Sequence, residues 1–576
     1  MLKVVSVEHM RRVEAAADAA GVSYATMMEN AGTATAHQIA DYLESGPDHT
    51  GERRILFLIG TGNNGGDGLV AGRVLAGMSD RYQVEFYLLA HRSAEDLNFQ
   101  AALVAGIPIT YVDDDRDFQT LTALVTRAEV IADAVFGIGV RLPLRGKSAE
   151  VLGHVRLVLQ ERKHIPAERI SPNSPRSGMS LPKPYVIAVD CPSGLDCDTG
   201  QVDEKTIVAD CTITFIAAKP GLLTFPGAAY IGQLVVATID IPDSLPELHQ
   251  AGTVLVDSAL AQSLLPARPP DSNKGTFGKT LIVAGSTNYV GAAGLCSMAA
   301  YRSGAGLVTV GAVGSVVSAL AGHLLAPTWL LLPHDMGVIA ASAVSVLTGE
   351  LAGYSALLLG PGWGQEGTTR DFLLKLLTVP EGIRDSHRQN TMGFATKRAN
   401  AVPNEQSVDA VASLPPLVID ADGLNLLAQI NHWWELLPPH TIITPHPGEM
   451  ARLAGTTTAT VQADRAKIAL EKAAEWQVVL ILKGAHTLIA APDRRLFVLP
   501  FKTDALATAG TGDVLAGTIA GFLAQGMSPV NAAVLGGYVQ GMAGELAARQ
   551  IGNSRSVIAD DVLNNLGEVL TAIENH

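Results

Sequence analysis

One pattern, run through twice, constrains this chain more than any other. From Arg54 onward, short β-branched apolar runs alternate with alanine-rich stretches of helical pattern: Ile55–Ile59, a helix from Asp67, Val84–Leu89, Val130–Val135 and Tyr185–Val189. Such alternation builds βαβ units, and these put a parallel sheet between helices. A second series opens with Leu281–Ala284, a helix from Gly291, Leu307–Val310 and Ala356–Leu359. It continues through Leu417–Ile419, Ile442–Ile443 and Val478–Leu482 to helices near 511–525 and 528–548. Between the series, from Ile241-Pro242 to Ala267-Arg268-Pro269-Pro270, proline is frequent and periodicity is lost, which marks a junction near residue 250. The expectation is two α/β domains, 1–245 and 250–576. Their glycine motifs differ, so they read as a fusion and not a duplication.

The 576 residues are too many for one core, and 48% hydrophobic against 17% charged residues suits globular domains. The net charge of −15 offers no broad positive field, so nucleic acid is not an expected partner. The four cysteines, without CxxC spacing, suggest neither a disulfide framework nor a zinc cluster, and fit reducing cytoplasm. The N-terminus has no apolar signal region, and apolar runs fall short of the ~20 residues a membrane span needs. Two polar segments, 161–183 and 382–415, read as surface excursions without chemistry.

In the second half, Thr508-Ala509-Gly510-Thr511-Gly512-Asp513 runs straight into an apolar helix. The first N–H groups of a helix have no partner within it and suit an anion, and glycines admit a phosphate closely. Asp513 could be a simple cap, but a carboxylate beside an anion hole points to work on a hydroxyl that attacks phosphorus. Lys483-Gly484-Ala485-His486-Thr487 ends an apolar strand, as do Thr444-Pro445-His446-Pro447-Gly448-Glu449, Gly360-Pro361-Gly362, Asp420-Ala421-Asp422 and Gly285-Ser286 leading to Ala292. Lys483 could be merely solvated and His446 a loop hydrogen bonder. Ligands of open parallel sheets nevertheless gather at this edge, where all five segments converge.

Together with Lys274-Gly275-Thr276-Phe277-Gly278-Lys279, this ordered set resembles the ADP/ATP-dependent NAD(P)H-hydrate dehydratases over most of residues 255–570. The resemblance implies a ribokinase-like fold. It implies that Lys483, Gly484, Ala485, His486, Thr487 and Gly512 contact the adenine nucleotide, ADP or ATP with Mg2+, with ADP favoured. Ala292, Gly362, His446 and Asp513 would contact the hydrated NADH or NADPH, with Asp513 as base.

In the first half, Ile59-Gly60-Thr61-Gly62-Asn63-Asn64-Gly65-Gly66-Asp67 reads as strand, glycine-rich turn and helix, with Asn63 and Asn64 in the bend. Asp133 closes one strand ahead of Gly137-Ile138-Gly139-Val140-Arg141-Leu142-Pro143. Asp190 closes another ahead of Ser193. Oxygen groups at such an edge suit a hard cation or a base. With Ala218-Lys219-Pro220-Gly221, this set is similar to the NAD(P)H-hydrate epimerases, a Rossmann-like three-layer family, over roughly residues 5–240. The resemblance implies that Asn64, Asp133 and Ser193 ligate K+, and that Asn63 to Asp67 (Gly65 and Gly66 included), Gly137 to Pro143 and Asp190 hold the substrate, with Asp190 the acid–base. Lys219 could be a structural pair.

The expected function is therefore bifunctional repair of hydrated nicotinamide nucleotides by a cytoplasmic enzyme, with a homo-oligomer possible. A small-molecule kinase releasing a stable phosphate, or an N-terminal half kept only for binding, are the alternatives.

Overall fold

The computed structural model describes residues 1–45, 51–162, 184–242, 244–378 and 414–575, so the two polar segments read as excursions lie almost wholly outside the described residues. The chain divides into two compact units, Leu2–Ala251 and Gly252–His576.

The first unit is built on β1 (Arg53–Ile59), β2 (Tyr82–Leu88), β3 (Ile109–Tyr111), β4 (Val130–Ala134), β5 (Tyr185–Val189), β6 (Cys211–Phe215) and β7 (Gln233–Ala237). They lie in the order β3-β2-β1-β4-β5-β6-β7, every neighbour parallel. Side chains alternate across a strand, so a strand covered on both faces must be apolar throughout. Ile55, Phe57 and Ile59 of β1 join a core with helices α1 (Val7–Ala19), α2 (Tyr24–Ser45) and α3 (Asn63–Met78). Leu56 and Leu58 point into a second core with α4 (Gln119–Arg127) and α5 (Gly146–Arg162). The order matches the Rossmann arrangement, whose crevice opens where the winding reverses, here between β1 and β4.

The structure corrects the reading of the glycine-rich turn. Helix α3 begins at Asn63, not Asp67, and Asn63 and Asn64 are its first residues instead of a bend. Close packing, not unusual torsion, demands the glycines: a Cβ on Gly65 would lie 2.0 Å from the Gly60 carbonyl oxygen, and one on Gly66 2.6 Å from Met28 Sδ.

The second unit contains β8 (Thr253–Leu255), β9 (Lys279–Val283), β10 (Leu307–Ala312), β11 (Thr328–Leu331), β12 (Ala356–Leu359), β13 (Leu417–Ile419), β14 (Ile442–Ile443), β15 (Val479–Leu482), β16 (Leu488–Ala490) and β17 (Leu496–Val498). Their order is β8-β17-β16-β15-β14-β13-β12-β9-β10-β11, parallel except for β16 against both its neighbours. From β9 the chain winds outward to β10 and β11, then returns to β12 and winds the other way. The switch point lies between β9 and β12, and there the Gly285 N–H donates to the Pro361 carbonyl at 2.8 Å. Helix α9 (Thr511–Ala524) crosses the sheet centre against β9, β12 and β13, and packs on α6 (Val290–Arg302). Gly517 permits that approach, since a Cβ there would lie 2.3 Å from the Cys296 carbonyl oxygen. The start of α9 is thereby held beside the strand ends. No helix among the described residues is long and apolar enough to cross a membrane.

Candidate functional site

In the second unit, three strand ends supply one charged cluster. Asp420, which follows β13 and is 1% exposed, accepts from Thr444 Oγ1 at 2.6 Å and from Lys483 Nζ at 2.8 Å. Glu449 Oε2 lies 3.8 Å from the same ammonium. Burial works against the charge on Lys483, but Asp420 and Glu449 outweigh it and hold the lysine above its usual range. A Cβ on Gly512 would lie 3.5 Å from Lys483 Nζ and 3.7 Å from Asp420 Oδ2, so the first turn of α9 meets this pair directly. The next residue, Asp513, is half-buried, and burial together with the charge of Asp420 pushes its carboxyl up to about 7 against the pull of Lys483. A carboxyl poised there exchanges protons near neutrality, as a general base requires.

His446 and Glu449 belong to the start of a short helix, α7 (Pro447–Leu453). His446 is the N-cap: its Nδ1 accepts from the backbone of Gly448 at 3.0 Å and Glu449 at 3.4 Å, while Glu449 Oε2 accepts from the His446 N–H at 2.8 Å. Nδ1 is therefore the acceptor nitrogen, and burial with Lys483 and Arg452 nearby lowers the imidazole pKa. In the neutral ring Nε2 carries the proton, which leaves it a donor, 3.5 Å from Glu449 Oε1. Burial pushes Glu449 up to about 7. Gly362, with φ 66°, packs on α6: a Cβ would lie 2.8 Å from Ala292 Cβ.

Beside this cluster opens a cavity of about 190 Å³. Of the residues expected to hold a nucleotide, Lys483, Gly484, Ala485, Thr487 and Gly512 line it; Phe501 and Gln540, which the sequence reading did not single out, line it too. His486 does not. At φ 49° its ring turns inward, 3% exposed, with Nδ1 3.1 Å from the Leu499 carbonyl, and burial drives its pKa down to about 4. Its side chain packs in the core, away from the cavity lining.

In the first unit, Asp190 stands just past β5 at φ 64°. Its Oδ1 accepts from Lys219 Nζ at 2.8 Å and Thr214 Oγ1 at 3.2 Å, and Oδ2 accepts from the Ile138 N–H at 3.2 Å. Lys219 is 1% exposed, and Asp190 keeps it charged against burial. A Cβ on Gly137 would touch Asp190 Oδ2 at 2.9 Å and Asn64 Oδ1 at 3.4 Å, so two loops and the first turn of α3 meet there. Burial, then Asp190 and Glu14, push Asp67 well above its ordinary value, and burial with Asp190 raises Glu14. Glu14 escaped sequence reading because nothing in an amphipathic helix distinguishes it from a surface acid. Beyond Ile138, Gly139, Arg141 and Pro143 are exposed, and Val140 and Leu142 are partly so; Asn63 is exposed as well.

Deeper in the crevice, Ser193 donates its Oγ proton to Asp133 Oδ1 at 2.5 Å, its N–H donates to Asp133 Oδ2 at 2.8 Å, and the Phe136 N–H donates to Ser193 Oγ at 2.8 Å. Burial raises the Asp133 pKa. Both polar atoms of the Asn64 amide are buried without a partner. Arg92, absent from the sequence reading, braces the turn by donating to the Gly60 carbonyl at 2.7 Å.

A family model described as NAD(P)H-hydrate dehydratase matches residues 280–383 and 401–566, and one described as YjeF-related protein N-terminus matches 24–221. A bifunctional NAD(P)H-hydrate repair enzyme of Moorella thermoacetica is 35% identical over 95% of this chain and 92% of its own length. One from Escherichia coli is 30% identical over 96% of this chain and 91% of its own. Among solved structures, the ADP/ATP-dependent NAD(P)H-hydrate dehydratase of Bacillus subtilis, co-crystallised with ATP and Mg2+, is 27% identical over 56% of this chain and 99% of its own, with a TM-score of 0.43. On its full-length likeness to these relatives, the chain belongs to the family of bifunctional NAD(P)H-hydrate repair enzymes.

Proposed function

We propose that residues 252–576 dehydrate the S hydrate of NADH or NADPH at the expense of ADP or ATP, and that residues 2–251 interconvert the R and S hydrates. The observation that carries the first half is the meeting of Gly512 with Lys483 and Asp420, one residue before a carboxyl whose pKa is raised to about 7.

Hydroxide leaves poorly from C6 of the hydrated ring. Asp513 takes the hydroxyl proton as that oxygen attacks the terminal phosphorus of the nucleotide and its bridging P–O bond breaks, releasing AMP from ADP or ADP from ATP, while the loop of Lys483, Gly484, Ala485 and Thr487 with Gly512 steadies the phosphates. The oxygen then departs as phosphate, pushed by the ring nitrogen lone pair, and loss of the C5 proton restores the dihydropyridine. His446 presents its Nε2 proton toward the hydrate beside the Gly362–Ala292 contact. Mg2+, bound through the nucleotide phosphates, would neutralise part of their charge. We favour ADP as donor and the cytoplasm as the place of action.

In the first unit, Asp190 moves the proton that inversion at C6 requires, and Lys219 holds its carboxylate in place. The glycine turn with Asp67, and the loop from Gly137 to Pro143, hold the dinucleotide. The orphaned Asn64 amide, the buried Asp133 carboxylate and the Ser193 hydroxyl suit K+, whose charge would stabilise an electron-rich substrate oxygen.

Turnover of pure S hydrate by the full-length chain with ADP, ATP or neither, followed by the near-ultraviolet absorbance of reduced nicotinamide, tests the dehydratase reading. Nucleotide-independent recovery, or a stable phosphorylated product, would contradict it. The R hydrate, supplied alone, is expected to be consumed only after conversion to S.

A further inference from the structure

The cavity beside Lys483 must receive a polyanion, yet the lysine on its rim is already answered. Asp420 lies 2.8 Å from its ammonium and Glu449 3.8 Å, and the carboxyl of Asp513 stands close enough to feel both Asp420 and Lys483. With Asp420 alone ionised the cluster is neutral, and Glu449 or Asp513 ionised as well makes it negative. A second protein cation lies on the helix behind the loop.

Arg465 opens helix α8 (Arg465–Trp476). Its Nη1 donates to the Ala485 carbonyl at 2.6 Å, and its Nη2 donates to the carbonyls of Leu482 at 3.1 Å and Lys483 at 3.3 Å. Its Nε is buried without a partner. A Cβ on Gly484 would lie 2.9 Å from Nη2, so the guanidinium lies directly against the loop. Among the described residues Arg465 makes no ion pair. The adjacent carboxylate, Asp464, is engaged as a helix cap with the Lys467 N–H at 3.1 Å. Burial lowers the Arg465 pKa, and no acid opposes that. A half-buried guanidinium without a carboxylate is costly unless its charge serves a ligand.

We propose that Arg465 is a positioning residue for the nucleotide: from behind the cavity wall it clamps the strand end and loop at 482–485 through three carbonyls, and its uncompensated charge adds to the field the phosphates meet. This rests on the reading that the nucleotide occupies the cavity lined by that loop. Carbonyl bonds alone would make Arg465 a structural staple. The missing counter-ion distinguishes a role in binding, because a staple has no reason to leave its charge unanswered.

The test is calorimetric titration of the full-length chain with ADP at several salt concentrations, for wild type, Arg465→Gln and Arg465→Lys, with kcat measured at saturating ADP. The glutamine variant is expected to bind ADP about tenfold more weakly while kcat falls less than about threefold, a tenfold change being about 1.4 kcal/mol. Its affinity should also depend less steeply on salt than that of wild type. Lysine keeps the charge but loses the planar fork, so an intermediate loss of about threefold is expected. A folded glutamine variant with ADP affinity within about twofold of wild type overturns the proposal. If that variant does not fold, a lysine variant indistinguishable from wild type overturns it equally. A wild-type chain that binds no ADP sinks the nucleotide reading itself, and the proposal with it.

Discussion

The ammonium of Lys483 and the carboxylate of Asp420 sit 2.8 Å apart at the ends of β15 and β13, which flank β14 in the sheet, with Asp420 1% and Lys483 21% exposed at the side chain. Removing one partner of such a pair strands the other charge. Asp420→Asn keeps the shape and the Thr444 hydrogen bond but leaves Lys483 only the more distant Glu449 and Asp513. The expected cost is on the order of 2 kcal/mol in urea unfolding, less than for a fully buried pair because water reaches the lysine. Dehydratase activity should fall further than stability alone explains. Wild-type activity in this variant would show that the pair does not organise the site.

Asp513 gives a pH prediction with a definite sign. Its carboxyl is raised to about 7, and the proposed base is the ionised form, so the dehydration rate should climb as pH rises through about 7 and level off above it. Stability moves the other way. Below about pH 4 the carboxyl is protonated in both folded and unfolded chains; as pH rises the unfolded chain ionises first, so the group costs the folded state increasingly up to about 7 and steadily beyond. Asp513→Asn should therefore abolish turnover and raise the melting temperature, with a larger gain near pH 8 than near pH 5, at about those values. A gain independent of pH would contradict the raised pKa.

Two glycines on helix α9 should separate function from packing. A Cβ on Gly512 meets nothing nearer than 3.5 Å, whereas one on Gly517 would lie 2.3 Å from a backbone oxygen of α6. Gly512→Ala is expected to fold with a melting temperature near wild type and to lose nucleotide affinity. Gly517→Ala is expected to lose stability, by about 1–3 kcal/mol, with overpacking as the cause. Differential scanning calorimetry with and without ADP reads both effects, and the reverse pattern would remove Gly512 from the proposed phosphate cradle.

These contrasts show what the sequence could and could not reveal. Periodicity exposed the long buried strands, because a strand covered on both faces must be apolar throughout; β1 and β15 are such runs. It missed the strands β16 and β17, which follow β15 as an antiparallel meander with no intervening helix and so fall outside the βαβ alternation. It started α3 too late, because Asn and Gly rank low as helix formers while tertiary packing of Gly65 and Gly66 decided the matter. In the sites, residues closing strands were legible because the ends of parallel strands share one edge. Arg465, Arg92 and Glu14 were not, since each reaches its place from a helix or loop whose side-chain direction no local pattern encodes. The inward packing of the His486 ring, at a positive φ and 3.1 Å from the Leu499 carbonyl, likewise had no local signal.

His446 carries two separable duties. Nδ1 caps helix α7, and Nε2, the donor nitrogen of a half-exposed ring, lies 3.5 Å from Glu449 Oε1. Asn can cap but cannot reproduce the imidazole Nε2–H, so His446→Asn should retain stability while raising KM for the hydrate. His446→Ala should raise KM similarly and lose about 1 kcal/mol as well. Equal stability of the two variants would refute the cap, and an unchanged KM in both would refute the donor.

The orphaned amide of Asn64 makes the K+ reading measurable. A buried amide with neither atom partnered costs the fold the desolvation of both groups, and a cation accepting Oδ1 as ligand would recover part of that. Asn64→Leu, of similar volume, removes the unmet groups together with the ligand. In K+-free buffer the variant should therefore be at least as stable as wild type, and adding K+ should stabilise wild type while leaving the variant unmoved. Epimerisation of the R hydrate should lose its dependence on K+ along with most of its rate. If wild type shows no K+-dependent shift in melting temperature, Asn64, Asp133 and Ser193 do not form a cation site, and the unpartnered amide must then be met by the substrate itself.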